Sequence, residues 1–334
     1  MNYILTLILS FGLIPAFAQF SQKFSLKNQV LTIPRQQYKL EELVDGRERK
    51  ESIGLVQTGV LNKKKFAVFE KSLEEEFSVV LKNSDVFLQE GDPITIRITK
   101  LNVDEITSFS KETGRAELVA DFFLKSGEEY IYLNSFHGSS ETISLDVTLY
   151  HPNLIVKSLE SVLIQFSTFL AKDSLQSSVG FSSAELNSGV QVEIDPSTIE
   201  ILNVMEYKDG IYLNFQEFLN NNPSITSGYE IADDNKVKVW QTDDSVRENR
   251  LKKGMYAICS KNELYILFHR DFYHLEREEN TFTFEGPVLV DSRKTNQAYF
   301  IGGLFAAYIT AATTSSSKKY KIDMRNGSFV MAGY

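Results

Sequence analysis

One cysteine, four histidines, one tryptophan and seven prolines stand among 334 residues, and each scarcity excludes something. A single thiol, Cys259, cannot close an internal disulfide, so the chain must draw its stability from its core. Set among Met255, Tyr256 and Ile258, that cysteine reads as a small buried hydrophobe. Four histidines are little material for a metal site. His137 and His151 stand alone; His269 and His274 are five apart, which on one continuous strand turns them to opposite faces. No metal or cofactor is expected. Gly-x-Ser-x-Gly, a Walker loop and a dinucleotide fingerprint are all missing, and the many serines have no placed histidine to activate them. The acidic turns Asp233-Asp234-Asn235 and Asp243-Asp244 invite a calcium reading. It fails, because the loop would need Gly where Lys238 stands and Glu where Asp244 stands. Net positive charge is lacking too: −9 overall, with a pI near 5.2, argues against nucleic acid or an anionic membrane surface as partner.

What is present is an ordinary folded composition, 43% hydrophobic and 24% charged, rich in Phe and Tyr, which suits strands with aromatic faces. The first eighteen residues are a separate object. Ile4 to Phe17 is apolar, Pro15 lies near its end, and Ala16-Phe17-Ala18 has the small-x-small form of a cleavage site. A buried N-terminal helix or a membrane anchor is the alternative; the short run and the cleavage motif favour a signal peptide over residues 1–18. No Cys follows the site to carry a lipid.

Residues 19–172 form a first module. A polar lead-in should hold one short strand, Val30–Ile33, stopped by Pro34. Ile53–Val60 reads as a strand. Lys64–Leu81 reads as a helix, with Phe66, Phe69, Leu73, Phe77 and Val80 along one face and Glu74-Glu75-Glu76 as a solvated outer side. Ile94, Ile96 and Ile98 then alternate with polar residues, as do Ala116–Leu124, and Tyr130–Phe136 follows after a turn at Gly127. Ile143, Leu145, Val147 and Leu149 suggest a fourth strand, unless Asp146 opens the next helix. That helix has Pro152 in its first turn and buries Ile155, Leu159, Val162, Phe166 and Phe169. The predicted class is α+β: an antiparallel sheet with two helices on one face. This order of elements over residues 53–172 resembles small α+β domains of periplasmic envelope proteins, such as transporter-auxiliary and lipopolysaccharide-assembly lipoproteins.

Residues 173–195 are Ser/Gly-rich and lose apolar periodicity, which places a linker there. The second module, 196–334, should be mainly β. It opens with a strand around Ile199–Met205 and a turn at Lys208-Asp209-Gly210. Asn214 and Glu217 have capping-box spacing, so a short helix is predicted to end before Pro223. Strands follow at Val237–Trp240, Met255–Cys259, Glu263–His269, Phe272–Arg277 and Thr281–Glu285. A last hairpin, Tyr320–Met324 with Phe329–Met331, turns at Asn326-Gly327. The Gly-Ile-Tyr-x-x-Phe-x-Glu-Phe pattern from Gly210, followed by Asn-x-Pro-Ser, resembles the opening of a group of uncharacterised exported bacterial proteins. In that group a small β domain follows, closing on a strand like Tyr320–Met324. The resemblance implies compartment and fold style, and carries no activity.

Ala298–Ala312 is the longest uncharged apolar run after the N-terminus. On a helix, Phe300, Ile301, Leu304, Phe305 and Tyr308 share a bulky side, and Gly302, Gly303, Ala306 and Ala307 a thin one. These bulky residues are the candidate partner or membrane contacts. Fifteen residues span ~22 Å, short of a ~30 Å hydrocarbon layer, which favours burial against the module's own sheet or a partner's. The expected function is that of a non-catalytic exported protein, periplasmic or secreted, acting through binding surfaces. A protein partner or self-association is expected, and no nucleic acid. A membrane-associated component seated by residues 298–312 is the second reading and an enzyme of unknown type the third.

Overall fold

The computed structural model describes residues 21–58, 63–107, 111–172, 180–233, 237–243, 246–250, 255–269, 271–287 and 317–332. Residues 1–18, predicted as a signal peptide, and the apolar run 298–312, with Phe300, Ile301, Leu304, Phe305 and Tyr308, lie outside them. Strands and helices are mixed, and the chain divides into two units, Met1–Gln191 and Val192–Tyr334.

The first unit is built on three long strands, β5 (Pro93–Thr107), β6 (Glu112–Ser126) and β7 (Glu129–Ser144), paired antiparallel along their whole lengths. The lead-in supplies β1 (Ser21–Phe24) and β2 (Lys39–Asp45), and β3 (Gly54–Thr58) and β4 (Lys63–Phe69) follow. The sheet is not purely antiparallel: β1 runs parallel to β4, β2 parallel to β5, and β3 meets β5 in parallel at Gly54 and Val103.

Val30–Ile33 forms no strand; the Leu31 N–H donates instead to Ser84 Oγ, 2.7 Å away. Lys64–Phe69 is strand β4, because Leu55–Phe66 and Phe24–Phe69 pairings claim it on both edges. The helix α1 (Leu73–Ser84) begins only at Ser72, whose side chain accepts from the Glu75 N–H and caps it. Nor is the Glu74–Glu76 run wholly solvated. Glu76 is buried and accepts from the Leu26 N–H at 2.6 Å and the Ser25 hydroxyl at 3.0 Å, fastening the lead-in to the helix. The helix α2 (His151–Lys172) lies where Pro152 predicts it. Its Leu159, Val162 and Phe166 join Phe77 and Val80 of α1 and Ile94, Ile96, Ile98, Leu118 and Phe122 of the sheet in one core, with Phe122 and Phe166 stacked 4.1 Å apart. Gly138 lets α2 approach: a Cβ there would stand 2.1 Å from the Ser158 carbonyl oxygen.

Within the Ser/Gly-rich stretch, residues 180–188 are ordered elements. β8 (Gly180–Phe181) pairs with Tyr130–Ile131 of β7, and α3 (Ser183–Ser188) has a complete capping box between Ser182 and Glu185. Leu186 is buried. What apolar periodicity does not supply, Arg97 does: its guanidinium donates to the carbonyls of Leu186 (3.2 Å) and Val190 (2.8 Å) and pairs with Asp121 (2.7 Å), against the rings of Phe123 and Phe181, which meet edge to face.

In the second unit, Ile199–Met205 is not a strand. A 3-10 turn (Pro196–Thr198) leads into the helical turn α4 (Glu200–Asn203), which buries Ile201 and Leu202. β9 (Gly210–Tyr212) and α5 (Phe215–Leu219) follow, with Asn214 capping α5 as predicted. A three-stranded meander comprises β10 (Tyr229–Asp233), β11 (Val237–Asp243) and β12 (Val246–Arg250). A four-stranded sheet orders β15 (Asp271–His274), β14 (Glu263–Phe268), β13 (Ala257–Ser260) and β9. Another joins β16 (Glu276–Glu278), β17 (Thr281–Pro287), β18 (Ser317–Ile322) and β19 (Phe329–Met331). The final hairpin does not turn tightly on Asn326-Gly327. Ile322 pairs with Phe329, and the Asp323 carbonyl closes the wider loop by accepting from the N–H groups of Asn326 and Gly327. Phe218, Phe268, Phe282, Phe284 and Tyr320 fill this unit's core.

Candidate contact surface of the first unit

The three long strands align their outward side chains in rows. Arg97, Asp121 and Ser135 form one; Lys100, Val119 and His137 the next; then Asn102, Glu117 and Ser139; then Asp104, Arg115 and Glu141; and last Ile106, Thr113 and Ile143. The middle rows are charged yet Asp104, Arg115 and Glu117 are buried. Glu117 is their centre. Lys100 Nζ is 2.9 Å from its Oε1, His137 Nε2 3.0 Å, and Arg115 is 4.0 Å from Oε2. Burial alone would raise the Glu117 carboxyl, but Lys100, the His137 contact and Arg115 outweigh it and hold the group well below the usual range. Burial lowers His137, against the pull of Glu117. Asp104 goes the other way: burial pushes it up to about 6, with Arg115 opposing and Glu117 assisting.

Beyond the charged rows the surface changes character. Ile106 and Ile143 flank Thr113, and the chain then leaves β7 through a corner at residues 145–150. No fourth strand forms there, and Asp146 does open the way to the helix, its carboxylate accepting from the Thr148 N–H at 3.0 Å. The corner is anchored from beneath. Val147 is fully buried against Gly114, where a Cβ would meet it at 2.9 Å, and its N–H donates to Glu112 Oε2. The Thr148 hydroxyl donates to the Gln57 carbonyl at 2.9 Å. Directly after, His151 Nε2 meets Glu105 Oε1 at 2.8 Å with neither side chain exposed, and the His151 ring stands edge-on to Phe24. With Val147 turned in, Leu145 and Leu149 are turned out: they are 83% and 86% exposed, beside the partly exposed Tyr150, Ile143 and Ile106. The result is an apolar patch on a fixed frame, with the half-exposed Glu141 and the exposed Asp146 at its margin.

The residues singled out by sequence fall elsewhere or take structural roles. His137 on β7 and His151 at the start of α2, solitary in the chain, find Glu117 on β6 and Glu105 on β5, pairings that sequence distance hides. His274 pairs with Glu263 on the neighbouring strand, and His269 sits at a corner with φ of 48°. Cys259 is buried, and its thiol donates to Asp209 Oδ1 at 3.3 Å. Burial first, and Asp209 second, push that thiol up to about 12. Among the described residues no cluster of three or more His, Cys, Asp or Glu could hold a metal ion. No helix among them is long and apolar enough to cross a membrane. In the sequence Leu145 and Leu149 alternate with Asp146 and Thr148 as a strand would, which hides their exposure.

No curated protein matches the chain. Among the solved structures that align with part of it are the following two. One is a protein from Xanthomonas campestris carrying the family label DUF330, 14% identical, covering 45% of this chain and 92% of its own, with a TM-score of 0.28. The other is a minor lipoprotein from Acinetobacter baumannii, 12% identical, covering 44% of this chain and 99% of its own, with a TM-score of 0.24. Residues 210–333, which begin at the Gly-Ile-Tyr pattern of β9, match the model of a family of unknown function, DUF6563.

Proposed function

We propose that this is a non-catalytic exported protein of the envelope or the secreted space that works by contact, with the corner at residues 145–150 as a docking surface. The observation that carries the reading is that two leucines more than four-fifths exposed are held on a frame whose neighbours are buried and hydrogen-bonded. The accessible carboxylates Glu141 and Asp146 lie at the margin of the leucines, and an apolar centre with a polar margin is the usual anatomy of a protein contact. The groups best suited to chemistry support the same reading, since His137, His151 and Cys259 are each engaged by a buried or bonded carboxylate. Export rests on the leader, residues 1–18, and its Ala-x-Ala site.

The experiment places a photo-crosslinking residue at Leu149 in cells. A discrete adduct that disappears when Leu145→Asp is added, with melting unchanged, supports docking at the corner; no adduct refutes it. Mass measurement tests export: a chain starting at Gln19 in the periplasm or medium is expected, and a full-length cytosolic chain overturns it. The uncharged run 298–312 favours a second reading, seating in a membrane, which complete release by a carbonate wash would exclude.

A further inference from the structure

The apolar corner lies at the end of a strand with an open side. β8 pairs with β7 only at Tyr130 and Ile131, and among the described residues no other strand joins that edge. The His137 carbonyl accepts from the Gln165 side chain of α2, and beyond it Ser139 to Ser144 are half-exposed or exposed. Proteins usually defend such an edge with lysine, proline or a covering element. From Leu133 to Ser144 there is no lysine, arginine or proline. Backbone N–H and C=O groups in a row are matched by one kind of occupant, another extended backbone.

Charge narrows the choice further. From Leu133 to Asp146 the chain carries two carboxylates, Glu141 and Asp146, and no lysine or arginine, and in register with Ser139–Ser144 strand β6 adds Glu117 and Glu112 against one cation, Arg115 opposite Glu141. The whole protein carries −9, so a second copy would approach against its own charge. Outward side chains at the open end run Ser139, Glu141, Ile143, which calls for a hydroxyl or small residue, a cation and an apolar residue in turn on the facing strand. Six residues is a common strand length.

We propose that the edge of β7 from Ser139 to Ser144 takes up an extended, cationic strand of a partner protein, whose apolar side chains continue onto Ile143 and Leu145. This rests on the contact reading above and supplies the partner's chemistry.

The test uses the full mature protein and a capped octapeptide of alternating valine and lysine. Three controls accompany it: a version with glutamate for lysine, a version N-methylated at alternate backbone nitrogens, and the Ile143→Lys variant of the protein, checked by its melting curve. Anisotropy reads binding and amide exchange reads its location. The expected result is saturable binding with slowed exchange at alternate amides of Ser139–Ser144, because every second N–H of β7 points away from β6. The glutamate peptide and the Ile143→Lys variant should each weaken binding by about tenfold or more, and N-methylation should abolish it. Equal binding of the N-methylated peptide, protection mapped elsewhere, or no binding overturns the proposal. Protection of Ser139–Ser144 that grows with protein concentration alone overturns it in favour of self-pairing. A crosslink at Leu149 that persists when the peptide leaves β7 unprotected sinks the strand addition and spares the contact reading; loss of both sinks both.

Discussion

Asp104 holds its proton unusually tightly in the folded chain, since burial lifts its carboxyl from the ordinary value to about 6. A raised acid stabilises the fold fully below its unfolded value, near pH 3.8, and that contribution is lost as pH rises through 6. Asp104→Asn removes the penalty of burying the charge. Thermal melts should show the variant gaining about 2–3 kcal/mol over the parent above pH 6, a gap that closes toward pH 4. A gap unchanged with pH would assign the effect to some other cause. Cys259 gives a second check: with its thiol pushed up to about 12, it should resist alkylation at pH 8 and react only once the protein is unfolded. Gly138→Ala, forcing a methyl against the Ser158 carbonyl, should cost ~2–3 kcal/mol, read as a lower melting temperature. At this scale the sequence announces little. Cys259 was legible because its neighbours are apolar. Glu117 and Asp104 were not, because their partners come from other strands and only the register of β5, β6 and β7 brings them together; nor was the pair His151–Glu105, which forms only when α2 packs on the sheet.

Among the elements, residues 180–190 depend most on a single contact. Apart from Phe181 and Leu186, they offer the first unit little apolar surface, and Arg97 holds them through two carbonyls and the Asp121 pair. Arg97→Ala leaves Asp121 buried without its cation, a loss of ~3–5 kcal/mol by analogy with other broken buried pairs. Limited proteolysis should then open a new cut within residues 182–190; an unchanged digest would refute the latch. The element scale also shows why period alone misled. Phe66, Phe69 and Leu73 are spaced as on a helix, yet edge pairing on both sides makes the first two strand residues, and only the cap at Ser72 marks the true start of α1. By contrast α2 and α5 were readable throughout, because period and terminal signals agreed: Pro152 opens one, Asn214 and Glu217 the other. The strands of the long sheet were recognisable from alternation, but not their length, since both faces of β6 are buried and the pattern there turns continuous.

At the scale of the molecule, the two units have separate cores, one around Phe77, Phe122 and Phe166 and one around Phe218, Phe268 and Phe284. Residues 192–334 expressed alone should therefore keep their near-ultraviolet dichroism and melt cooperatively, and a featureless spectrum would show that this core needs the rest of the chain. Apolar periodicity drops after residue 172, whereas the units divide at Gln191. The sequence hides that position because carbonyl oxygens carry the attachment of 180–190 and every residue type has one.

That attachment has a bearing on how the protein is made. Arg97 and Asp121 leave the ribosome long before the carbonyls of Leu186 and Val190 that complete their shell. A nascent chain halted short of Val190 would hold a guanidinium with part of its acceptors still to come, however well its three long strands had already paired. Completion of the first half thus waits on its last ten residues, and the final turn of the key falls just as the second half begins to emerge.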